Sequence, residues 1–183
     1  MVDKTEQKIL EVALKEFAKE GYIGARTRII AEKSGFSEMT LFRKFKTKEN
    51  LFNMVLAKNQ EIVINDFYSM MKDSNIDNPD DYLKTIIERL ISLTEDNFDF
   101  ISIVIYEKKT ISGTVIAELM THITECLEKI FPDSKIDTKV FVFNLLSFVY
   151  FLIFDKSQGR TFVDHKKAVE EFIKYSNDCL KLQ

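Results

Sequence analysis

Residues that interrupt regular structure are scarce in this chain of 183 residues, which contains 5 glycines, 2 prolines and no tryptophan. Glycine and proline are the strongest breakers of helices and strands, so their scarcity favours long helices. Apolar residues make up 45% of the sequence and charged residues 30%, proportions that are typical of a soluble globular protein. The length is enough for one substantial core, or for a small domain joined to a larger one.

Metal-binding and catalytic patterns are also missing. Cys126 and Cys179 show neither metal nor redox spacing, so we interpret them as small buried side chains in a reducing cytosol. His122 has no second ligand-type residue at metal spacing. We find no nucleophile–base pair, no glycine-rich phosphate loop and no pair of carboxylates at a spacing typical of a catalytic site. The sequence therefore predicts no catalytic residue, no metal site, no cofactor and no enzyme activity.

The sequence has little that suggests export or membrane insertion. Its first 13 residues, MVDKTEQKILEVA, carry mixed charges and lack the apolar region of a signal peptide. The most apolar stretch, residues 140–154, is 15 residues long, shorter than the roughly 20 residues that span a bilayer. We therefore expect a buried helix at this stretch, and a cytoplasmic protein without a membrane partner.

The most informative stretch is residues 21–52, GYIGARTRIIAEKSGFSEMTLFRKFKTKENLF. It contains two short helical patterns, separated by a turn in which Gly35 stands where a helix end commonly needs a positive φ. Ser37 is placed to cap the second helix through its side-chain oxygen, and Thr47 to cap the longer amphipathic helix that follows. This outline predicts a helix-turn-helix, a motif that places a helix in the major groove of DNA.

The helix after the turn, roughly residues 38–44, shows two faces. Leu41 and Phe45 point inward, whereas Met39, Thr40, Arg43 and Lys44 are free to point outward. The whole segment resembles the DNA-binding domain of the TetR family of transcriptional regulators. The resemblance covers about residues 5–52 with unbroken spacing, and the matching residues are Ile9, Ala13, Phe17, Gly21, Tyr22, Thr27, Arg28, Ile30, Ala31, Gly35, Ser37, Thr40, Leu41, Phe42, Phe45, Lys48, Glu49, Asn50 and Leu51.

The resemblance implies specific contacts with DNA. It assigns base contacts to Arg28, Glu38, Met39 and Arg43, and contacts with the DNA backbone to Thr27, Ser37, Thr40, Lys44 and Lys48. An arginine bonds guanine through two acceptors, and a glutamate accepts from the amino group of cytosine. The amides that begin the fourth helix are expected to hold a phosphate near Thr47 and Lys48.

Four positions of the DNA-binding segment depart from the family pattern. Phe42 stands where the family often has a tyrosine whose hydroxyl reaches a phosphate, so that contact is lost. Met39 replaces a common glycine, Glu38 puts a negative charge near the groove, and Arg26 stands where threonine is common. These departures affect the expected operator sequence, while DNA binding itself remains expected.

Charge divides the chain at the same place as the motif. Residues 1–48 contain 11 Lys or Arg and 7 Asp or Glu, whereas residues 49–183 contain 15 and 22. A basic head on an acidic body is the distribution expected of a DNA-binding module attached to another function. We predict a helix-turn-helix domain over residues 1–48 and a helical effector-binding and dimerisation domain over residues 49–183.

The rest of the sequence predicts an all-α fold of about nine helices. Apolar spacing places the helices outside the motif at about residues 4–20, 48–71, 79–97, 98–107, 112–131, 137–155 and 164–180, with loops at 72–78 and 156–163. Residues 78–81 form a good helix start, with Asn78 as the capping residue, Pro79 at the first position and two aspartates in the first turn. Asp164 is placed to cap the last helix. The segment 98–107, FDFISIVIYE, is rich in β-branched residues, but we interpret it as a helix because the chain offers no partner strand.

The C-terminal helices, about residues 137–155 and 164–181, predict a homodimer. The first is apolar on nearly all sides, so we expect a second subunit to bury the side that its own chain leaves exposed. The alternative is that both helices fill the core of a monomer. The resemblance implies that they pair across a two-fold axis. A dimer must match half-sites about one DNA turn, roughly 34 Å, apart, so we expect a palindromic operator on double-stranded DNA.

The resemblance also implies a small-molecule effector, bound among helices four to eight, that moves helix four. The 16 Phe, 6 Tyr and 6 Met suggest an apolar and adaptable cavity. The candidate ligand-binding residues are Phe67, Met70, Phe98, Ile101, Tyr106, His122, Cys126, Phe143, Ser147 and Tyr150. Ordinary core packing is the alternative interpretation of each one, and the sequence does not identify the effector.

The sequence leaves three functions open. The first is a dimeric, sequence-specific transcriptional regulator, a repressor released from its operator by a largely apolar effector. The second is a helical small-molecule-binding protein with a vestigial DNA head, and the third is a partner-binding adaptor that uses the apolar C-terminal helices. Binding to DNA that weakens steeply as salt rises is expected only of the first.

Overall fold

The fold is entirely helical over the residues that the structure, a computed structural model, describes: 3–72, 78–106, 112–159 and 162–181. Nine α-helices and no strand occur in these ranges, which confirms the predicted fold class. The helices are α1 (Lys4–Gly24), α2 (Thr27–Ser34), α3 (Glu38–Phe45), α4 (Lys48–Lys72), α5 (Pro79–Asp96), α6 (Phe98–Tyr106), α7 (Ser112–Ile130), α8 (Thr138–Ser157) and α9 (His165–Lys181).

Most helix ends agree with the sequence-based predictions because their capping residues act as expected. Asp164 accepts a hydrogen bond from the backbone N–H of Lys167 at 3.0 Å, which fixes the first turn of α9. In α1 the dihedral angles of Gly21, φ 68° and ψ 171°, interrupt the helix, where we predicted its end. The helical assignment nevertheless continues to Gly24. The predicted loop at 72–78 falls largely on residues 73–77, which lie outside the described residues.

The chain divides into two compact units. The first comprises Met1–Ile64 and Asn97–Gly113, and the second comprises Asn65–Asp96 and Thr114–Gln183. The continuous helix α4 begins in the first unit and ends in the second. These units are defined by internal packing, so the functional boundary that we predict between residues 48 and 49 stays a prediction.

The first unit is built around α1, which packs against α2 and α6. Phe17 is 1% exposed, and its ring meets that of Phe52 edge to face, with 4.9 Å between the ring centroids. The helix α6 buries Phe100 and Ile103, which confirms that the β-branched segment is helical. Burial against α1 outweighs the weak intrinsic preference of such residues for strands.

The second unit has its own apolar core, in which α5 packs against α8 and α9. The core residues include Phe67, Leu83, Ile87, Ile123, Leu127, Val142, Leu145 and Leu180. Phe148 and Phe172 stack in parallel with ring centroids 3.9 Å apart, so α8 and α9 are joined by side-chain packing within one chain.

One face of α8 is buried and another is exposed. Phe141, Val142, Leu145, Val149, Leu152 and Ile153 are buried, whereas Val140, Phe143 and Phe151 are 56%, 61% and 64% exposed. By length and composition alone this 20-residue helix is able to cross a membrane, so our exclusion based on 15 residues was too strict. In the structure 39% of its most apolar window is buried, and a core helix of a soluble protein meets the same criteria.

Candidate nucleic-acid interface

The turn between α2 and α3 is closed by hydrogen bonds at the end of α2. Gly35 adopts the left-handed conformation, with φ 81° and ψ 20°, as predicted. The backbone N–H of Phe36 donates to the carbonyl of Ala31 at 2.9 Å, and that of Gly35 donates to Glu32 at 3.0 Å. This pair of bonds is a Schellman motif, which satisfies carbonyls left over at a helix end. The turn therefore fixes the direction in which α3 leaves α2.

Both predicted N-caps of the motif are present. The Ser37 hydroxyl accepts a hydrogen bond from the backbone N–H of Thr40 at 3.2 Å, which caps α3. The Thr47 hydroxyl accepts from the backbone N–H of Asn50 at 3.0 Å, which caps α4. The Asn50 side chain also donates to the carbonyl of Phe45 at 2.9 Å. These bonds join the end of α3 to the beginning of α4 and hold the recognition region as one rigid piece.

The two faces of α3 separate as predicted for Leu41, Phe45, Met39 and Arg43, whereas Thr40 and Lys44, which we also predicted to point outward, are half-buried. Leu41 and Phe45 are completely buried and attach the helix to the first unit. On the outer face Met39 is 83% exposed and Arg43 is exposed. Phe42 is 39% exposed, so its ring covers part of the surface where the family pattern has a phosphate-binding hydroxyl.

Two of the predicted DNA-binding side chains bond to each other. The Thr27 hydroxyl donates a hydrogen bond to the Glu38 carboxylate, with 2.6 Å between Oγ1 and Oε1. Thr27 begins α2 and Glu38 begins α3, and both side chains are half-buried. Arg28 follows Thr27 and is exposed. The carboxylate therefore has a fixed partner on the same surface that carries the exposed arginines.

Lys44, a predicted phosphate contact, forms an ion pair with Asp3 at the start of α1. This bond lowers the pKa of the Asp3 carboxyl, and a second bond from the backbone N–H of Thr5 lowers it further. Because the pKa in the folded protein lies below that of the unfolded chain, the carboxylate stays charged to a lower pH in the folded protein. The ion pair is lost only as the pH falls through the lowered value.

Lys48, the other predicted lysine contact, is turned towards the end of α1. Its ammonium lies 5.0 Å from the centroid of the Tyr22 ring, and it donates to the carbonyl of Ile23 at 3.3 Å. Partial burial lowers the pKa of Lys48. This geometry leaves the ammonium beside the N-terminus of α4, where the first-turn amides favour an anion.

An ion pair that we did not predict connects α1 with α2. The Lys33 ammonium lies 2.6 Å from the carboxylate of Glu16, which is 7% exposed. Asp3 was also missed as a neighbour of Lys44, 41 residues away in sequence. A helical pattern assigns a residue to a face of its own helix, but it does not tell which charge on a distant helix will meet it.

The ten predicted effector-binding residues occur in both units. Phe98, Ile101 and Tyr106 belong to α6 in the first unit, and the other seven belong to the second. Phe67 is buried in the core of that unit, and its ring centroid lies 5.6 Å from that of His122. Met70 packs against the same core. Cys126, Ser147 and Tyr150 are half-buried, whereas Tyr106 and Phe143 are 63% and 61% exposed, so the chain does not enclose those two.

Open grooves occur within the described part of the second unit, and three of them bear on ligand binding. One, of about 430 Å³, lies between α5, α8 and α9 and has an apolar floor that includes Ile91, Leu152 and Ile173. A second, of about 390 Å³, follows the turn before α8. The third, of about 470 Å³, lies between α4 and α7 and is lined by Tyr68, Glu118 and His122. His122 is thus the predicted effector-binding residue that reaches one of these grooves.

In the described part of the chain, no group of three or more His, Cys, Asp or Glu side chains is placed to hold a metal ion. Cys126 and Cys179 are unbridged and half-buried. The Cys126 thiol bonds with the Tyr82 hydroxyl, whose pKa is raised mainly by burial. Both cysteines are therefore less buried than our interpretation of them as buried side chains required.

Comparison with known proteins identifies the N-terminal segment. Residues 9–55 match the model of the tetR family of bacterial regulatory proteins. The chain is 41% identical over 54 residues to YvkB, an uncharacterized HTH-type transcriptional regulator of Bacillus subtilis strain 168. That match spans 30% of this chain and 29% of YvkB, so it leaves most of both proteins unmatched.

Solved structures resemble the fold over nearly its whole length. A candidate fatty acid metabolism regulator from Clostridium perfringens has a TM-score of 0.71 at 24% identity, with 96% of this chain and 100% of that chain covered. AibR, solved in complex with isovaleryl coenzyme A and operator DNA, has a TM-score of 0.70 at 19% identity, with 94% and 97% covered. At these identities the likeness concerns the fold alone. Residues 9–55 are thus similar to the DNA-binding segment of the tetR family of bacterial regulatory proteins, and the whole chain has the fold of solved bacterial regulators.

Proposed function

We propose that the protein is a sequence-specific DNA-binding transcriptional regulator that works as a homodimer in the cytoplasm. The observation that carries the proposal is the outer surface of α2 and α3, where Met39 and the cations Arg28 and Arg43 are exposed. Behind this surface, Ile30 and Ala31 of α2 and Leu41 and Phe45 of α3 are buried. A rigid helix with a buried inner face and a basic outer face is suited to enter the major groove.

The contacts divide into two kinds on this proposal. Arg28, Glu38, Met39 and Arg43 face base edges. Contacts with the DNA backbone fix position without reading sequence, and the residues predicted for them are Thr27, Ser37, Thr40, Lys44 and Lys48. To contact a phosphate, the Lys44 ammonium must either break its ion pair with Asp3 or interact with the Asp3 carboxylate and the phosphate together. Partial neutralisation by Asp3 lowers the electrostatic part of the affinity, because that part depends on the number of phosphates neutralised.

The exposed side of α8 supports the dimer. Phe143 and Phe151 lie eight residues apart, just over two helical turns, on a side that also includes Val140. On α9 Tyr175 is 57% exposed. Aromatic and aliphatic side chains that remain exposed in one chain are those that a second subunit covers with the largest gain in buried apolar area.

We propose that the second unit binds a small effector, and that this binding releases the protein from its operator. The high aromatic content of its core and the open grooves among its helices support ligand binding. Phe67, Met70 and His122 are the candidates that cluster in space there. AibR has been solved with a small molecule and operator DNA together, and by analogy we propose that the effector here acts on operator binding, with repression as its consequence.

The proposal is tested by measuring DNA binding of the purified chain over a series of salt concentrations, after selection of bound sequences from random duplexes. We expect one palindromic operator and an affinity that falls steeply as salt rises. If the chain has no affinity for any duplex at low salt, the regulator is excluded. A partner-binding adaptor that uses the exposed α8 surface would then be the better interpretation.

A further inference from the structure

Glu38, at the beginning of α3, is an acidic side chain among the residues proposed to face base edges. We infer that Thr27 and Glu38 act as one unit, in which the Thr27 hydroxyl holds the carboxylate so that it selects a base with an exocyclic amino group, namely cytosine. This inference rests on the proposed function, because it concerns how the same surface chooses its operator. It also gives Thr27 a different role from the phosphate contact that the family resemblance implies.

The hydrogen bond between the two side chains restricts the carboxylate. At 2.6 Å between Thr27 Oγ1 and Glu38 Oε1, it has the length of a charge-assisted bond, which is stronger than a bond between neutral groups. The two residues begin adjacent helices whose relative position is set by the closed turn at Gly35. A glutamate side chain normally samples many rotamers, and this bond keeps it in few of them, so less entropy is lost when a base binds.

The chemistry of the held carboxylate decides which base it accepts. An ionised carboxylate has acceptor sites only, and its position in the first turn of α3 favours the negative charge. Thr27 occupies one oxygen, which leaves the second oxygen of Glu38 to accept from the DNA. In the major groove cytosine presents an amino donor, whereas guanine and thymine present acceptors that a carboxylate repels. Adenine presents an amino group beside the acceptor N7, so cytosine fits the carboxylate better.

The same bond removes Thr27 from the set of phosphate contacts. Its only hydroxyl proton is donated to Glu38, and a carboxylate at 2.6 Å repels an approaching phosphate. Thr27 is therefore a positioning residue that acts through Glu38. Its neighbour Arg28, which is exposed, remains available for DNA.

The experiment is a selection of bound sequences from random duplex DNA, carried out with the full chain and its variants. In E38A, cytosine preference at one position of each half-site should fall by roughly 5- to 100-fold. In E38Q, the preference at that position should move towards adenine, which a glutamine amide bonds through N6 and N7. In T27V, cytosine should remain preferred but by roughly 3- to 10-fold less, and T27S, which keeps the hydroxyl, should restore it.

A matched control removes the same charge elsewhere. Glu61 is exposed on α4, thirteen residues after the first residue of that helix, so E61A should leave every base preference unchanged. The inference is overturned if E38A and wild type select the same bases at all positions, if the position that depends on Glu38 carries guanine or thymine, or if T27V and T27S behave alike. If wild type enriches no sequence at low salt, the proposed function itself fails, which is a distinguishable result.

Discussion

At the residue scale, the free protein already uses part of its proposed DNA surface for bonds within the chain. Thr27 holds Glu38, Asp3 holds Lys44, and Lys48 lies over the ring of Tyr22. Arg28 and Arg43 have no such partner in the described part of the chain. The two arginines are therefore ready to meet DNA, whereas the lysines must first change their contacts.

Replacing Arg43 by alanine should weaken binding to the selected operator by roughly 1–3 kcal/mol and relax the preference for one base. The physical reason is that a guanidinium bonds guanine through two acceptors, and alanine leaves those acceptors without a partner. Titration of labelled operator at fixed salt measures the change. The control is K174A, an exposed lysine on α9, and an R43A protein that binds as tightly as wild type would refute the proposed docking of α3.

Replacing Asp3 by asparagine should strengthen DNA binding at low salt. The change removes the negative partner of Lys44 but keeps an N-cap side chain, since asparagine caps helices as well as aspartate does. If Lys44 then reaches a phosphate, a plot of log affinity against log salt concentration should become steeper by about one unit. The double variant D3N/K44A should lose this gain, and a D3N protein with the wild-type slope would show that Asp3 does not compete with DNA.

At the scale of single elements, the turn between α2 and α3 determines how the recognition helix is presented. Sequence alone was sufficient to predict Gly35, Ser37 and Thr47 as the residues that end or begin helices, because capping depends on local hydrogen bonds. The same locality explains why α5 begins at Pro79 and why α9 begins after Asp164. The end of α1 was harder to predict, since helical residues continue beyond the interruption at Gly21.

Replacing Gly35 by alanine should lower the free energy of unfolding by about 1–2 kcal/mol, which is the cost of a left-handed conformation for a residue with a Cβ atom. No atom lies within 4 Å of the added Cβ, so the effect is that of the backbone and not of a clash. Urea denaturation measures it. G24A is the matched control: Gly24 has no unfavourable φ and its added Cβ would lie 3.4 Å from Glu20 Cβ, so we expect almost no loss there. Equal losses in both variants would contradict this explanation.

At the scale of the whole molecule, the proposed function needs two copies of the chain. Each chain presents one basic helix-turn-helix, and two half-sites one DNA turn apart require a symmetric pair. We expect the second subunit to bury the exposed apolar side of α8, because large exposed apolar patches are uncommon in monomeric proteins.

Replacing Phe143 and Phe151 together by aspartate should convert the protein to a monomer, because two charges would be buried in the proposed interface without partners. Sedimentation velocity should show the smaller species, and operator affinity should fall while circular dichroism remains helical. The control is I62D, at a position of α4 that is 39% exposed, which should remain dimeric. A wild-type chain that sediments as a monomer, or a double variant that sediments as a dimer, would refute the interface.

Local chemistry in the sequence determined the helices, the turn of the motif and the two faces of α3, since periodicity and capping act over a few residues. The resemblance to the tetR family could also be predicted, because the matching segment, residues 9–55, is continuous. Only the tertiary structure decided that Asp3 meets Lys44, that Glu16 pairs with Lys33, and that Tyr106 and Phe143 lie on the surface of the chain. These outcomes depend on how separate helices pack, and a helical pattern records which face of a helix is apolar but not what that face will meet.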